Sequence, residues 1–409
     1  MHGVRARLFQ RARTPCAVLL LRRKAQKGND VVTRPSRRRL LAGLAIGAGG
    51  ITTGGLLGRS TAGVAAEPSP ASSETEGPPG GRPVPAIGEH QAGIALPTDP
   101  QPYSLTVVSD LAAADMSVLA PVGERLLDFL DDDAHDSGDL TVAVGVGPRV
   151  VSSVDDALPG AEALPEFDSD AGMAAERVGG DLLLIASASE PAVLGPAVEA
   201  LLDALPDCTQ RWRQFGFRGP GRDGIVRNPF GFHDGIIVPR GDDELAEHVW
   251  LRDDPRVAGG TIAVVRRLRT DVAGFSHLPV EEQEALVGRR KRDGAPLSGG
   301  SARDEVSLTA KTADGQYLTP VSSHARAAHP ALTGSALMLR RGYAYAEGDE
   351  SGLMFVCFQR DLRTFVVTQQ RLDEQDRMME YVTTTASGTF LMLPGFDRDR
   401  PLGSTLLTA

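Results

Sequence analysis

The sequence predicts an α+β fold of two ferredoxin-like modules. Short runs of β-branched and aliphatic residues alternate with longer stretches of helical apolar spacing, the first half runs strand, helix, strand, strand, helix, and the second half offers a similar inventory. At 409 residues the chain is long enough for two cores of ~100–200 residues each. With 41% hydrophobic and 23% charged residues the bulk is globular, not disordered or polytopic.

Ser104 to Ser109 (SLTVVS) reads as the first strand. Leu111 to Leu130 carries Met116, Leu119, Val122, Leu126, Leu127 and Leu130 at helical spacing. Leu140 to Gly145 and Asp181 to Ala186 are the next strands, and Glu190 to Leu205 is a second helix that Pro206 helps to end. Later, Thr261 to Arg266, Leu353 to Phe358 and Gly388 to Leu393 read as strands, and Asp361 to Met379 as partly helical. The modules span 90–225 and 226–409, with a site between them. A stretch rich in Pro, Ser, Gly and Glu, too polar to bury a core, precedes them as a linker over 67–89.

The formal charge of −10 averages two unlike populations. Residues 1–66 hold 13 of the 43 Lys and Arg but one of the 53 acids, Asp30, which leaves −22 on the remainder. Such a body repels phosphate backbones and shows no basic stripe with interleaved aromatics, so nucleic-acid binding is set aside. Ser36-Arg37-Arg38-Arg39-Leu40-Leu41 precedes an uncharged, glycine-containing stretch to Gly58, and Val64-Ala65-Ala66 offers a cleavage site before Glu67. This pattern looks like a Tat export signal spanning residues 1–66, with export to the periplasm, cell envelope or exterior as the expectation. A retained membrane anchor is the alternative, weakened by seven glycines between Gly43 and Gly58.

Several chemistries find no support. Paired histidines on a helical face, Cys-x-x-Cys, Gly-x-Ser-x-Gly and a Walker A loop are all missing from the sequence. Gly219-Pro-Gly221-Arg-Asp-Gly224 matches Gly-x-Gly-x-x-Gly but lacks the strand–turn–helix context that gives that pattern meaning. Two other segments stand out. In the first, Asp234 lies among Phe230, Phe232 and Ile236, flanked by Gly231 and Gly235. A carboxylate in an apolar pocket is a candidate proton shuttle, because desolvation raises its pKa toward working pH, although Asp-Gly is also an ordinary turn dipeptide. The second contributes His324, His329, Arg340 and Arg341. An imidazole, a carboxylate and a guanidinium suffice for haem peroxidase chemistry: one binds iron, one moves a proton and one stabilises developing anionic charge.

These segments resemble the dye-decolorizing (DyP-type) haem peroxidases, in particular their Tat-exported, deferrochelatase/peroxidase-like subfamily. Gly231-Phe-His-Asp234-Gly235 fits the family's Gly-x-x-Asp-Gly signature, His324-x-Arg326-x-x-x-Pro330 resembles the proximal-ligand stretch, and Leu337-Met-Leu-Arg340-Arg341-Gly-Tyr343 the distal-arginine stretch. Other blocks follow in the family's order, from His90-Gln-Ala-Gly-Ile94 to Leu393-Pro-Gly395, so the likeness covers roughly 88–400. Ala325, His233 and the apolar Ile236-Ile-Val depart from the usual residues without removing a reacting group.

The resemblance implies a DyP-type α+β barrel-like arrangement with one haem b per chain in the C-terminal module. It implies His324 as the iron ligand, Asp234 as the distal acid/base and Arg340, rather than Arg341, as the distal cation. Leu353 and Phe355 either face the haem or pack in the core; Arg266 either meets a haem propionate or makes a plain salt bridge; His329 is a competing ligand or a loop histidine. The implied reaction reduces hydrogen peroxide through a ferryl state and oxidises a dye-like or phenolic donor. The implied partners are the Tat translocase during export, iron-uptake membrane components and a second copy of the chain in a homo-oligomer. An exported haem-binding, iron-uptake component that carries haem as cargo is the alternative, but a carrier needs the ligand and not a distal acid and cation.

Overall fold

The structure, a computed structural model, describes residues 83–407 except 136, 206 and 222–224. The leader, its twin-arginine run and the linker up to residue 82 lie outside the described residues, and 83–89 carry neither helix nor strand. The first half contributes β1 (Tyr103–Leu111), α1 (Leu119–Asp131), β2 (Thr141–Val146), α2 (Pro148–Ser152), β3 (Leu182–Ala188), α3 (Leu194–Leu202) and β4 (Cys208–Phe217). The second half opens with the hairpin strands β5 (Val226–Arg227) and β6 (His233–Asp234), then α4 (Gly241–His248), β7 (Thr261–Thr270), α5 (Val272–Ser276) and α6 (Val280–Val287). There follow α7 (His324–Ala327), α8 (Pro330–Thr333), β8 (Leu339–Arg340), β9 (Tyr343–Glu347), β10 (Glu350–Gln359), α9 (Leu362–Gln375), β11 (Val382–Met392) and α10 (Ser404–Leu407).

The large sheet pairs in the order β7-β11-β2-β3-β1-β4-β9-β10, with β8 beside β10, and β10 also pairs with β7. Eight strands therefore close on themselves. The halves join through Leu391↔Val146 and Met392↔Gly145 on one side and Phe217↔Ala344 on the other. Because successive side chains point to opposite faces, closure sends alternate residues into one interior. Val108, Ala143, Leu183, Ile185, Ala263, Val265, Val356 and Phe390 share that interior cluster. Their neighbours Val107, Val142, Leu184 and Val264 belong to a second cluster, outside the ring, with Leu126 of α1, Leu201 of α3 and Phe365 of α9.

The α+β reading holds, with corrections to its elements. The stretch 111–118 is not α-helical: β1 runs through Leu111, and α1 begins at Leu119 after a short 3-10 helix, Met116–Val118, capped by Asp115, whose carboxylate accepts from the Ser117 amide. Strands β4 and β9 went unread. In β4 the apolar residues Trp212 and Phe215 are interspersed with Arg211, Arg213 and Gln214, so alternation exists but half of it is polar.

Phe390 is fully buried in the ring interior, so Phe390→Ala should cost about 3–5 kcal/mol in urea unfolding. Arg213→Ala, which removes an exposed ion pair to Glu199, should stay within about 0.5 kcal/mol of wild type.

Candidate active site

The outer faces of β7, β10 and β11 form one wall of a cavity and α9 the other, with segment 228–237 and α7 closing it. Leu268, Leu353 and Phe355 project from the strands; Phe365, Thr368 and Leu372 come from the helix. In β10, Met354 and Val356 point into the ring, which leaves Leu353 and Phe355 on the cavity side. A register shift between Thr384 and Ala386 of β11 lets Thr384 face outward while Ala386 packs inside.

Asp234 is placed by a tightly bonded loop. Strands β5 and β6 pair Val226 with Asp234, and between them the Asn228 side-chain oxygen accepts from the amides of Phe230 and Phe232, both at 3.1 Å. Gly231 takes a φ of 82°, which suits a turn residue without Cβ, and its amide returns to the Asn228 carbonyl at 2.8 Å. Phe230 and Phe232 pack on Phe275, with centroids 4.5 and 6.1 Å away, which anchors the loop in a small apolar cluster. Gly231 therefore shapes the turn and does not line the cavity. Gly235, at φ 77°, turns its amide onto Asp234 Oδ1 at 2.6 Å.

Arg340 Nη2 lies 3.4 Å from Asp234 Oδ1, and its Nη1 donates to the Ile237 carbonyl at 3.1 Å. Burial by itself pushes the Asp234 carboxyl up, as the sequence suggests, but Arg340, the Gly235 amide and His324 together outweigh it and hold the group below the usual carboxylate range. The expectation of a raised Asp234 pKa is thus corrected. The arginine 3.4 Å away was not part of the local sequence pattern.

His324 opens α7. Its Nδ1 lies 2.6 Å from Asp376 Oδ2, and Asp376, whose side chain is fully buried, also accepts from the Met378 amide at 2.9 Å. A carboxylate only accepts, so Nδ1 carries the proton and Nε2 keeps its lone pair for the cavity. Burial alone would lower the imidazole pKa, but Asp376, assisted by Asp234, raises it above the ordinary histidine value. The side chains of His324, Asp234 and Arg340 remain 38, 32 and 28% exposed, and all three line this cavity.

Other predicted residues fall into place. Arg266 lies on the cavity wall, but its guanidinium forms a buried ion pair with Asp170 and bonds Thr384 Oγ1 at 2.7 Å. His329 also borders the cavity, yet its Nδ1 caps α8 through the Ala331 amide and its Nε2 lies 3.6 Å from Glu305. Asp376 and Arg289 were missed. Nothing in a lone Asp after a helix signals a partnership with a residue 52 positions away. Buried Arg289, also on the cavity, donates to the carbonyls of Gly294, Ala302 and Asp304, with no carboxylate in ion-pair range among the described residues.

The site fits a haem: a mostly apolar cavity, one open imidazole nitrogen backed by a buried carboxylate, and the buried Arg289 guanidinium, suited to an anionic cofactor. The family description "Dyp-type peroxidase, C-terminal" matches residues 226–397. The dye-decolorizing peroxidase of Thermobifida fusca (strain YX) is 35% identical across 66% of this chain and 67% of that protein. The deferrochelatase of Yersinia pestis is 31% identical across 93% of this chain and 97% of that protein.

The chain belongs to the DyP-type peroxidase family. Its structure overlays that of the DyP-type peroxidase from Cellulomonas bogoriensis with a TM-score of 0.73 at 31% identity, covering 81% of this chain and 99% of the other. It is a peroxidase, an oxidoreductase of a haem-binding family.

In this peroxidase, Gly235→Ala should strain the left-handed turn beside Asp234 by roughly 1–2 kcal/mol. Asn228→Ala, which leaves two amides without their acceptor, should cost about 1–3 kcal/mol. Thermal unfolding of the apo-protein measures both.

Proposed function

We propose that this peroxidase holds one haem b through His324, with Asp234 as the distal acid/base, Arg340 as the distal cation and a dye-like or phenolic molecule as electron donor. The reading rests on one observation: His324 Nε2, the Asp234 carboxylate and the Arg340 guanidinium border a single apolar cavity. Bound haem supplies the two-electron chemistry that splits the peroxide O–O bond and returns its oxidising equivalents to the donor. The residues do the rest. Asp376 fixes the tautomer of His324 and enriches Nε2 as a donor. Asp234, held as a carboxylate, takes the proton of incoming hydrogen peroxide and passes it to the departing oxygen. Arg340 lies against Asp234 and stabilises the negative charge that develops there. Leu353, Phe355 and Leu372 keep water from the same volume, which strengthens both electrostatic effects.

Haem as iron-uptake cargo is the second reading, favoured by relatives named deferrochelatase that match over nearly their whole length. Asp234 and Arg340 argue for catalysis over carriage. Export follows from the twin-arginine leader: the folded, haem-loaded chain would cross by the Tat translocase to the periplasm, cell envelope or exterior, and membrane-bound iron-uptake components and self-association belong to the same reading.

Reconstituted protein should show a Soret band that His324→Ala abolishes or strongly shifts; an unchanged spectrum sinks the ligand assignment. Asp234→Asn and Arg340→Leu should keep haem and slow the stopped-flow reaction with peroxide by about 10²–10⁴-fold. Arg340→Leu also removes what holds Asp234 low, so the acid limb of the pH–rate profile should move up in pH. For export, replacing Arg37 and Arg38 by lysine should leave the protein in the cytoplasmic fraction with its leader attached.

A further inference from the structure

Helix α9 changes its relation to the sheet along its length. At its start it packs directly on the strands: Leu362 and Phe365 belong to the outer apolar cluster, and the Phe365 ring lies 6.1 Å from that of Phe355. Further along, Thr368, Gln369 and Leu372 line the open cavity across from Arg266, Leu268 and Thr384. A mostly apolar gap of this kind favours collapse, because closing it removes apolar surface from water and restores dispersion contacts. Some fixed structure must hold the two walls apart.

The first half of the chain supplies it. Between α2 and β3 a short 3-10 helix, Asp168–Asp170, is tied to both walls. Buried Asp170 forms an ion pair with Arg266 of β7, which also bonds Thr384 and Ser387 of β11, so the segment is anchored to the sheet. The Ser169 amide and hydroxyl donate to Asp373 Oδ2 at 3.2 and 3.3 Å, and Gln369 Nε2 donates to Ser169 Oγ at 3.2 Å, so the same segment is anchored to α9. Gln369 Nε2 also reaches Asp373 Oδ1 at 2.7 Å, which keeps these two α9 side chains together. Beside them the Phe167 ring meets Phe365 edge-on, with centroids 5.9 Å apart and planes at 83°. The Arg266 guanidinium lies 5.3 Å from the Phe167 centroid and 5.8 Å from that of Phe365. A cation from the sheet, a ring from the first half and a ring from the helix thus form one packed column. A buried ion pair adds little net stability over apolar residues of its size, but it fixes geometry, since either charge left alone is costly.

We propose that Ser169, Asp170 and Arg266 are positioning residues that set the distance between α9 and the sheet, and with it the width of the cavity that receives haem. The inference rests on the haem reading above and deepens it. Asp376 caps the C-terminal end of α9 and holds His324 Nδ1, so the spacer also fixes the carboxylate behind the iron ligand.

The test follows haem leaving the haem-loaded full chain for excess apomyoglobin, read from the Soret band, beside thermal unfolding of the same proteins. Asp170→Asn should speed release about tenfold and Ser169→Ala about two- to threefold. Ser169→Thr keeps the hydroxyl and should restore the wild-type rate. Leu201→Ala, in buried α3 and lining no part of the cavity, should lower the melting temperature at least as much as Ser169→Ala and leave release unchanged. Ser169 is half-buried, so its variants carry the test even if circular dichroism shows Asp170→Asn unfolded. Release unchanged in Ser169→Ala, release equally fast in Leu201→Ala, or Ser169→Thr no slower than Ser169→Ala overturns the proposal. A wild-type chain that holds no haem sinks the cofactor reading and the spacer with it; one that holds haem through His324 at a rate the variants do not move sinks the spacer alone.

Discussion

Closure of the eight-stranded ring is the constraint on which the rest depends. Once β10 pairs back onto β7, every second residue of these strands is committed to the interior and its neighbours to the outside. The interior is packed with Val, Ile, Leu, Met and aromatic side chains. The outer face must then be covered. Over β1–β3 it is covered by α1 and α3; over β7, β10 and β11 the covering helix α9 stands off far enough to leave the cavity. The active site is thus a gap in the second layer of an α+β protein, with a rigid sheet as its floor.

Within that gap the charges support one another. Asp376 is buried and paired with His324; Asp234, half-buried, is paired with Arg340. A carboxylate is costly alone in such surroundings, and Arg340 with the Gly235 amide and His324 holds Asp234 below the usual carboxylate range. The imidazole is polarised from behind by Asp376 and feels Asp234 from across the cavity. Arg266 and Asp170, close by on the same wall, form a self-contained pair that leaves this balance undisturbed.

Much of this was legible in the chain. The strands around Val107, Val144, Leu184, Val264, Val356 and Phe390 announce themselves because they are apolar on both faces, as strands between a filled ring and a helix layer must be. Strands β4 and β9 were not legible, because their outer residues meet solvent and their composition is accordingly mixed. The start of α1 was misread because Leu111 continues the apolar spacing backwards into a strand.

For the site, the sequence by itself determined which groups are present: a histidine, a carboxylate between glycines and a pair of arginines, in motifs specific enough to indicate a family. It also determined the turn chemistry of Gly231 and Gly235, since a left-handed φ is a local property. Only the tertiary structure decided the partnerships. Asp376 behind His324, Arg340 against Asp234, and the opposite destinations of Arg340 and Arg341 all join residues distant in the chain. Electrostatic environment depends on separation in space, and that separation is set by ring closure rather than by neighbours in sequence. For that reason the sequence indicated a raised pKa for Asp234 and the fold lowered it.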